Sequence, residues 1–73
     1  MRRYLVIYER AEDGGWGAYV PDLPDCFTLG DTREEAERLI REAVAAHLDI
    51  LRERGDAVPE PNSVAAEMIE VPA

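Results

Sequence analysis

The 73 residues contain no lysine, a single cysteine and a single histidine, and each scarcity closes off a class of function. Cys26 alone cannot form an internal disulfide, and no Cys/His cluster has the spacing of a structural zinc site. His47 has no Cys or Ser partner at catalytic spacing, so it reads as a packing or surface residue. Cys26 stands among acidic residues, which raise a thiol pKa, so it suits a small buried hydrophobe better than a nucleophile. Gly14, Gly15 and Gly17 have hairpin spacing rather than that of a phosphate-cradling loop, and no cofactor motif is present. The strongly apolar run near the start, Tyr4 to Tyr8, is far too short for a signal peptide or a membrane span. No membrane association is expected, and the cytoplasm is the expected compartment. All eight basic residues are arginine, which reflects genome composition or heat adaptation.

Sixteen acidic residues against eight arginines leave a net charge of −8. Affinity for phosphate backbones comes mainly from Lys and Arg, so direct nucleic-acid binding is not expected. A basic protein partner fits better; the bland reading is that the acidity only keeps a small protein soluble. At this length a single domain over residues 1–73 is expected. Such a domain buries only about 60% of its unfolded surface, so stability margins are thin. With no disulfide or metal, homo-oligomerisation, as a dimer or larger, is the expected support.

What is present organises itself around Thr32 to Arg54. Ala36, Leu39, Ile40, Ala43, Val44, Leu48 and Leu51 recur at spacings of three and four, the stripe of an amphipathic helix. Thr32 and Glu35 have capping-box spacing, and Gly55 suits the far end. Glu34–Arg38 and Glu37–Arg41 are i,i+4 pairs, each contributing about 0.2–0.5 kcal/mol. Before the helix, Arg2–Glu9 reads as a strand with Leu5 and Ile7 on one face and Tyr4, Val6 and Tyr8 on the other. Ala11–Gly15 reads as a hairpin turn and Trp16–Val20 as the returning strand. Pro21–Asp25 reads as a rigid connector and Cys26–Leu29 as a short third strand. After the helix, Asp56–Ser63 reads as a proline-bearing link and Glu67–Val71 as a final strand.

The order strand, strand, strand, helix, strand predicts an α+β fold: two layers, β-β-β-α-β, with a four-stranded sheet in the order 3-2-1-4. The last strand is expected parallel to the first, because a crossover helix precedes it. One helix can hide only one sheet face. Tyr4, Val6, Tyr8 and Tyr19 are assigned to the uncovered face, which a monomer seldom leaves bare. With the connector residues Pro21, Asp22, Leu23, Pro24 and Asp25, they form the candidate partner-binding set.

Asp22, Asp25 and Asp31, with Glu9, have the residue types of a divalent-metal site for phosphodiester cleavage, which gives an alternative reading as a minimal metal-dependent nuclease. No spacing motif supports it, and Asp beside proline turns ordinarily binds local backbone. No catalytic residue and no metal ligand is therefore assigned.

The stretch Asp13-Gly14-Gly15, Tyr19-Val20-Pro21-Asp22-Leu23-Pro24, Cys26, Gly30-Asp31-Thr32 and Glu34-Glu35-Ala36, followed later by Val58-Pro59-Glu60-Pro61, closely resembles the HicB-like antitoxin family over nearly the whole chain. The resemblance implies a partial ribonuclease-H-like fold without catalysis. It also implies self-association and the masking of a small basic RNase toxin of the HicA kind. A third reading is an orphan oligomeric domain with no surviving toxin. Asp25 stands where the family often has glycine, and a positive φ there would tolerate Asp poorly. Many members carry a C-terminal helix-turn-helix or ribbon-helix-helix; the tail here has no basic helix, so operator binding is not expected of it.

Overall fold

The computed structural model describes residues 2–72. Three antiparallel strands, β1 (Ile7–Arg10), β2 (Trp16–Val20) and β3 (Leu23–Gly30), are followed by one helix, α1 (Arg33–Glu53). The sheet order is β1-β2-β3. The fold is α+β, but the fourth strand expected over Glu67–Val71 is absent, so the order 3-2-1-4 is corrected to a three-stranded sheet.

The β1–β2 turn forms because Gly14 takes φ +91° and the Asp13 carboxylate accepts from Gly15 N–H at 2.9 Å. β1 begins at Ile7 rather than Arg2. Its register, Ile7 opposite Tyr19, brings the chain to Pro21 two residues later, so Arg2–Leu5 find no strand opposite them. β3 begins earlier than expected. Pro21–Asp22 alone makes the β2–β3 turn, and Val20 pairs with Leu23 while Tyr19 pairs with Phe27. The ladder jumps there, and residues 24–26 bulge. Leu23 and Cys26 are both buried, and that burial holds the bulge. Among the described residues no non-glycine position has a positive φ, so Asp25 stands in place of the family's glycine without strain.

α1 starts where Thr32 Oγ1 accepts from Glu35 N–H at 3.1 Å. Glu35 returns the bond to Asp31 N–H at 2.7 Å, one residue earlier than a capping box places it. Arg41 pairs with Glu37 at 3.4 Å, whereas Arg38 turns to Glu42 rather than the expected Glu34. Gly55, at φ +72°, follows the helix, where the Cβ penalty is avoided. The buried core consists of Ala18, Val20, Leu23, Cys26, Ala36 and Ile40. It lies where α1 packs on β3 and β2. Thr28 Oγ1 donates to Ala36 C=O at 3.4 Å and ties the layers further.

The chain after α1 turns back along the end of the sheet. Tyr4 O–H donates to Pro59 C=O, and Arg2 meets Glu60 at 3.1 Å. One Asp22 oxygen, Oδ2, accepts from Asn62 N–H at 3.0 Å and Ser63 N–H at 2.9 Å. This route carries the tail from β1 toward the β2–β3 turn, away from the edge where a fourth strand would pair. Residues 64–72 therefore project from the body. The radius of gyration is 13.9 Å, against about 11 Å for a compact domain of this length.

Gly30 sits where β3 meets α1: a Cβ there would lie 2.8 Å from Ala36 N. Gly30→Ala is expected to cost about 1–3 kcal/mol, as overpacking does, and thermal melting should show a clear drop in Tm. An unchanged Tm would mean that the two layers have slack at this point.

Candidate partner-binding surfaces

The helix covers two strands of three, and that incomplete cover creates two surfaces. The first is the sheet face away from α1. Cross-strand pairing aligns Ile7, Tyr19 and Phe27 in one row, and Glu9, Gly17 and Leu29 in the next. Side chains alternate faces along a strand, so Leu5 joins this side. Tyr19, Ile7 and Leu5 are half-buried, while Phe27 is 56% and Leu29 65% exposed. A contiguous apolar strip on a face that no helix shields is the type of surface that proteins use for partners.

The assignment of Tyr4, Val6 and Tyr8 to this face is corrected. Tyr8 pairs with Ala18, which lies in the core beneath α1, so all three aromatic and aliphatic side chains point toward the helix. The alternation was legible, but the sheet register decides which set joins Tyr19, and the partner of Tyr19 is Ile7. Phe27 and Leu29 were missed as surface residues. The signal was their odd spacing from Cys26 and Thr28 within one strand.

The second surface is the open side of the helix layer. Because α1 lies over β3 and β2, Tyr4, Val6 and Tyr8 are only half covered and floor a groove of about 520 Å³ between β1 and the helix. Val44 and Leu48 form its helix wall, and Arg2, Arg41, Arg52 and Asp49 also line it. The Arg33 guanidinium lies 4.6 Å from the centre of the Tyr8 ring, a cation–π contact that shields part of that ring.

The connector residues have divided roles. Leu23 is a core residue at 0% exposure, and Asp22 clasps the tail. Pro21, Pro24 and Asp25 are exposed. Among the described residues, no three His, Cys, Asp or Glu side chains group to hold a metal. Asp22 is committed to two backbone amides. Cys26 is buried, and burial first, then the adjacent Asp25 charge, pushes its thiol pKa above the ordinary 9.0. It is a protonated packing group. No described helix is long and apolar enough to cross a membrane.

Residues 4–72 match the family model described as HicB-like antitoxin of bacterial toxin–antitoxin systems. The chain is 36% identical over 70 residues to Antitoxin HicB 1 of Photorhabdus laumondii, covering 96% of this chain and 45% of that protein. It is 41% identical over 61 residues to a UPF0150 protein of Thermoplasma acidophilum, covering 84% of this chain and 88% of that one. It is 31% identical over 72 residues to Antitoxin HicB of Escherichia coli K12, covering 96% and 52%. The chain thus spans about half the length of the HicB relatives it matches.

Two outcomes follow. Asp22→Ala removes an acceptor shared by two amides and is expected to cost about 1–3 kcal/mol, with faster proteolysis and amide exchange between Asp56 and Ser63; unchanged exchange there would refute the clasp. The folded Cys26 thiol holds its proton more tightly than the unfolded one, whose pKa is near 9.0. Its contribution to stability is therefore whole below that pH and declines as pH rises past it. Thermal melts from neutral to strongly alkaline pH should show that decline in the wild type and a flatter limb in Cys26→Ala.

Proposed function

This chain belongs to the HicB-like antitoxin family of bacterial toxin–antitoxin systems, and we propose that it binds and masks a small, basic RNase toxin of the HicA kind. The observation that carries this reading is the apolar strip of Leu5, Ile7, Tyr19, Phe27 and Leu29 on a strongly acidic chain. The strip supplies desolvated contact area, with Tyr19 and Phe27 as aromatic anchors of the kind that dominate interface energetics. The net charge of −8 supplies long-range attraction to a cationic partner and accelerates encounter. The role is recognition rather than catalysis, exercised in the cytoplasm and without a cofactor. The chain acts as a homo-oligomer, and direct contact with nucleic acid is no part of this role.

Two substitutions on the strip test the reading without touching the core. In cells expressing a small basic RNase toxin of the HicA kind, the wild-type chain should restore growth and co-purify with the enzyme. Phe27→Asp together with Leu29→Asp should weaken the complex by about thirtyfold or more, the loss of roughly 2 kcal/mol expected of an anchor. Since both side chains are exposed, Tm should barely change. Absence of both rescue and complex with the wild type would overturn the proposal. Undiminished binding by the double variant would remove the strip from it.

A further inference from the structure

The tail and the β1 edge are each unfinished, and their chemistry matches. Residues 64–72 carry Val64, Met68, Ile69 and Val71, which are between 73% and 97% exposed. Valine and isoleucine favour strands, yet this segment has no ladder partner among the described residues. β1 pairs with β2 on one side only, so its other edge presents free backbone N–H and C=O groups, a template for an added strand. Beside that edge lies the groove floored by Tyr4, Val6 and Tyr8. The ionic lining of the groove is Arg2, Arg41 and Arg52 against Asp49 alone, on a chain whose net charge is −8. The charged residues of the arm are Glu67 and Glu70.

The arm does not reach the edge of its own sheet by its observed route. Arg2 and Tyr4 hold Glu60 and Pro59, and Asp22 then holds Asn62 and Ser63, so the chain leaves the body heading past the β2–β3 turn. The open sheet face is a poorer seat, because the alternation that places Leu5 there gives it Glu9 and only one arginine, Arg3, against three arginines in the groove. We propose that residues 64–72 of one copy add as a strand to the free edge of β1 in a second copy, with the exchange made reciprocally in a dimer. Alternation places Val64, Met68 and Glu70 on one face of that strand; Val64 and Met68 enter the partner's groove while Glu70 approaches Arg2, Arg41 and Arg52. The present partners of these arginines, Glu60, Glu37 and Asp49, form exposed pairs that exchange at little cost. The nine residues of the arm extend about 30 Å, enough to run alongside residues 2–10. A four-stranded layer is then completed by a strand from the other chain. This rests on the self-association proposed above and is independent of toxin binding.

Light scattering on the full chain should give a dimer, and Met68→Asp with Ile69→Asp should give a monomer of unchanged circular dichroism. Chains carrying Glu9→Cys and, on a second tag, Ile69→Cys should form a mixed conjugate with a short bis-maleimide, while buried Cys26 stays silent. Arg41→Glu with Arg52→Glu should raise the dimer Kd several-fold, and adding Glu70→Arg should lower it again. A dimer that survives the arm substitutions, or a conjugate formed only within one doubly substituted chain, overturns the exchange and leaves self-association standing. A monomeric wild type overturns both.

Discussion

The packing of one helix across β2 and β3 sets almost everything else in this molecule. It rests on a small contact: Ala36 and Ile40 from α1 against Ala18, Val20, Leu23 and Cys26 from the sheet. Gly30 permits the close approach, and the bonds of Thr32 and Glu35 fix where the helix begins. Once those residues are matched, no helical surface remains to cover the far side of the sheet or the outer half of β1. The two exposed regions are consequences of an economical core rather than separate embellishments.

The division of labour between those regions follows from their chemistry. The far side of the sheet is apolar and belongs to a chain of net charge −8, which suits a cationic protein. The groove beside β1 is apolar and carries three arginines, which suits an acidic segment. A chain with twice as many acids as bases has concentrated a substantial share of its positive charge at one edge. Under the two proposals, that placement separates the surfaces, because a groove lined by arginines repels a cationic occupant.

Much of this was legible in the residues. The helix stripe, the Asp-Gly-Gly hairpin and the alternation in β1 are local signals, and each appears as expected. The absence of the expected fourth strand was not legible. Val, Met and Ile state a preference for extended backbone, but whether such a segment pairs depends on where Tyr4 and Asp22 guide the chain before it, and those are contacts across 40 residues or more. The choice of the exposed side failed for a related reason. Alternation sorts side chains into two sets without saying which set meets the helix; only the pairing of Tyr8 with Ala18 decides that. The connector was misplaced because two prolines mask the fact that Leu23 is already part of a strand.

The irregularity between Tyr19 and Val20 also determines which side of β3 is which. Leu23 and Cys26 are an odd number of positions apart, yet both are buried; a regular strand would send them to opposite sides. The looped Pro24–Asp25 segment acts as a phase shifter that lets one strand contribute an extra plug to the interior. Beyond the irregularity, the register Tyr19 opposite Phe27 and Ala18 opposite Thr28 sets the facing of the rest of β3, with Thr28 under the helix and Phe27 and Leu29 on the open side. That regained register is what leaves the apolar strip on the open side of the sheet.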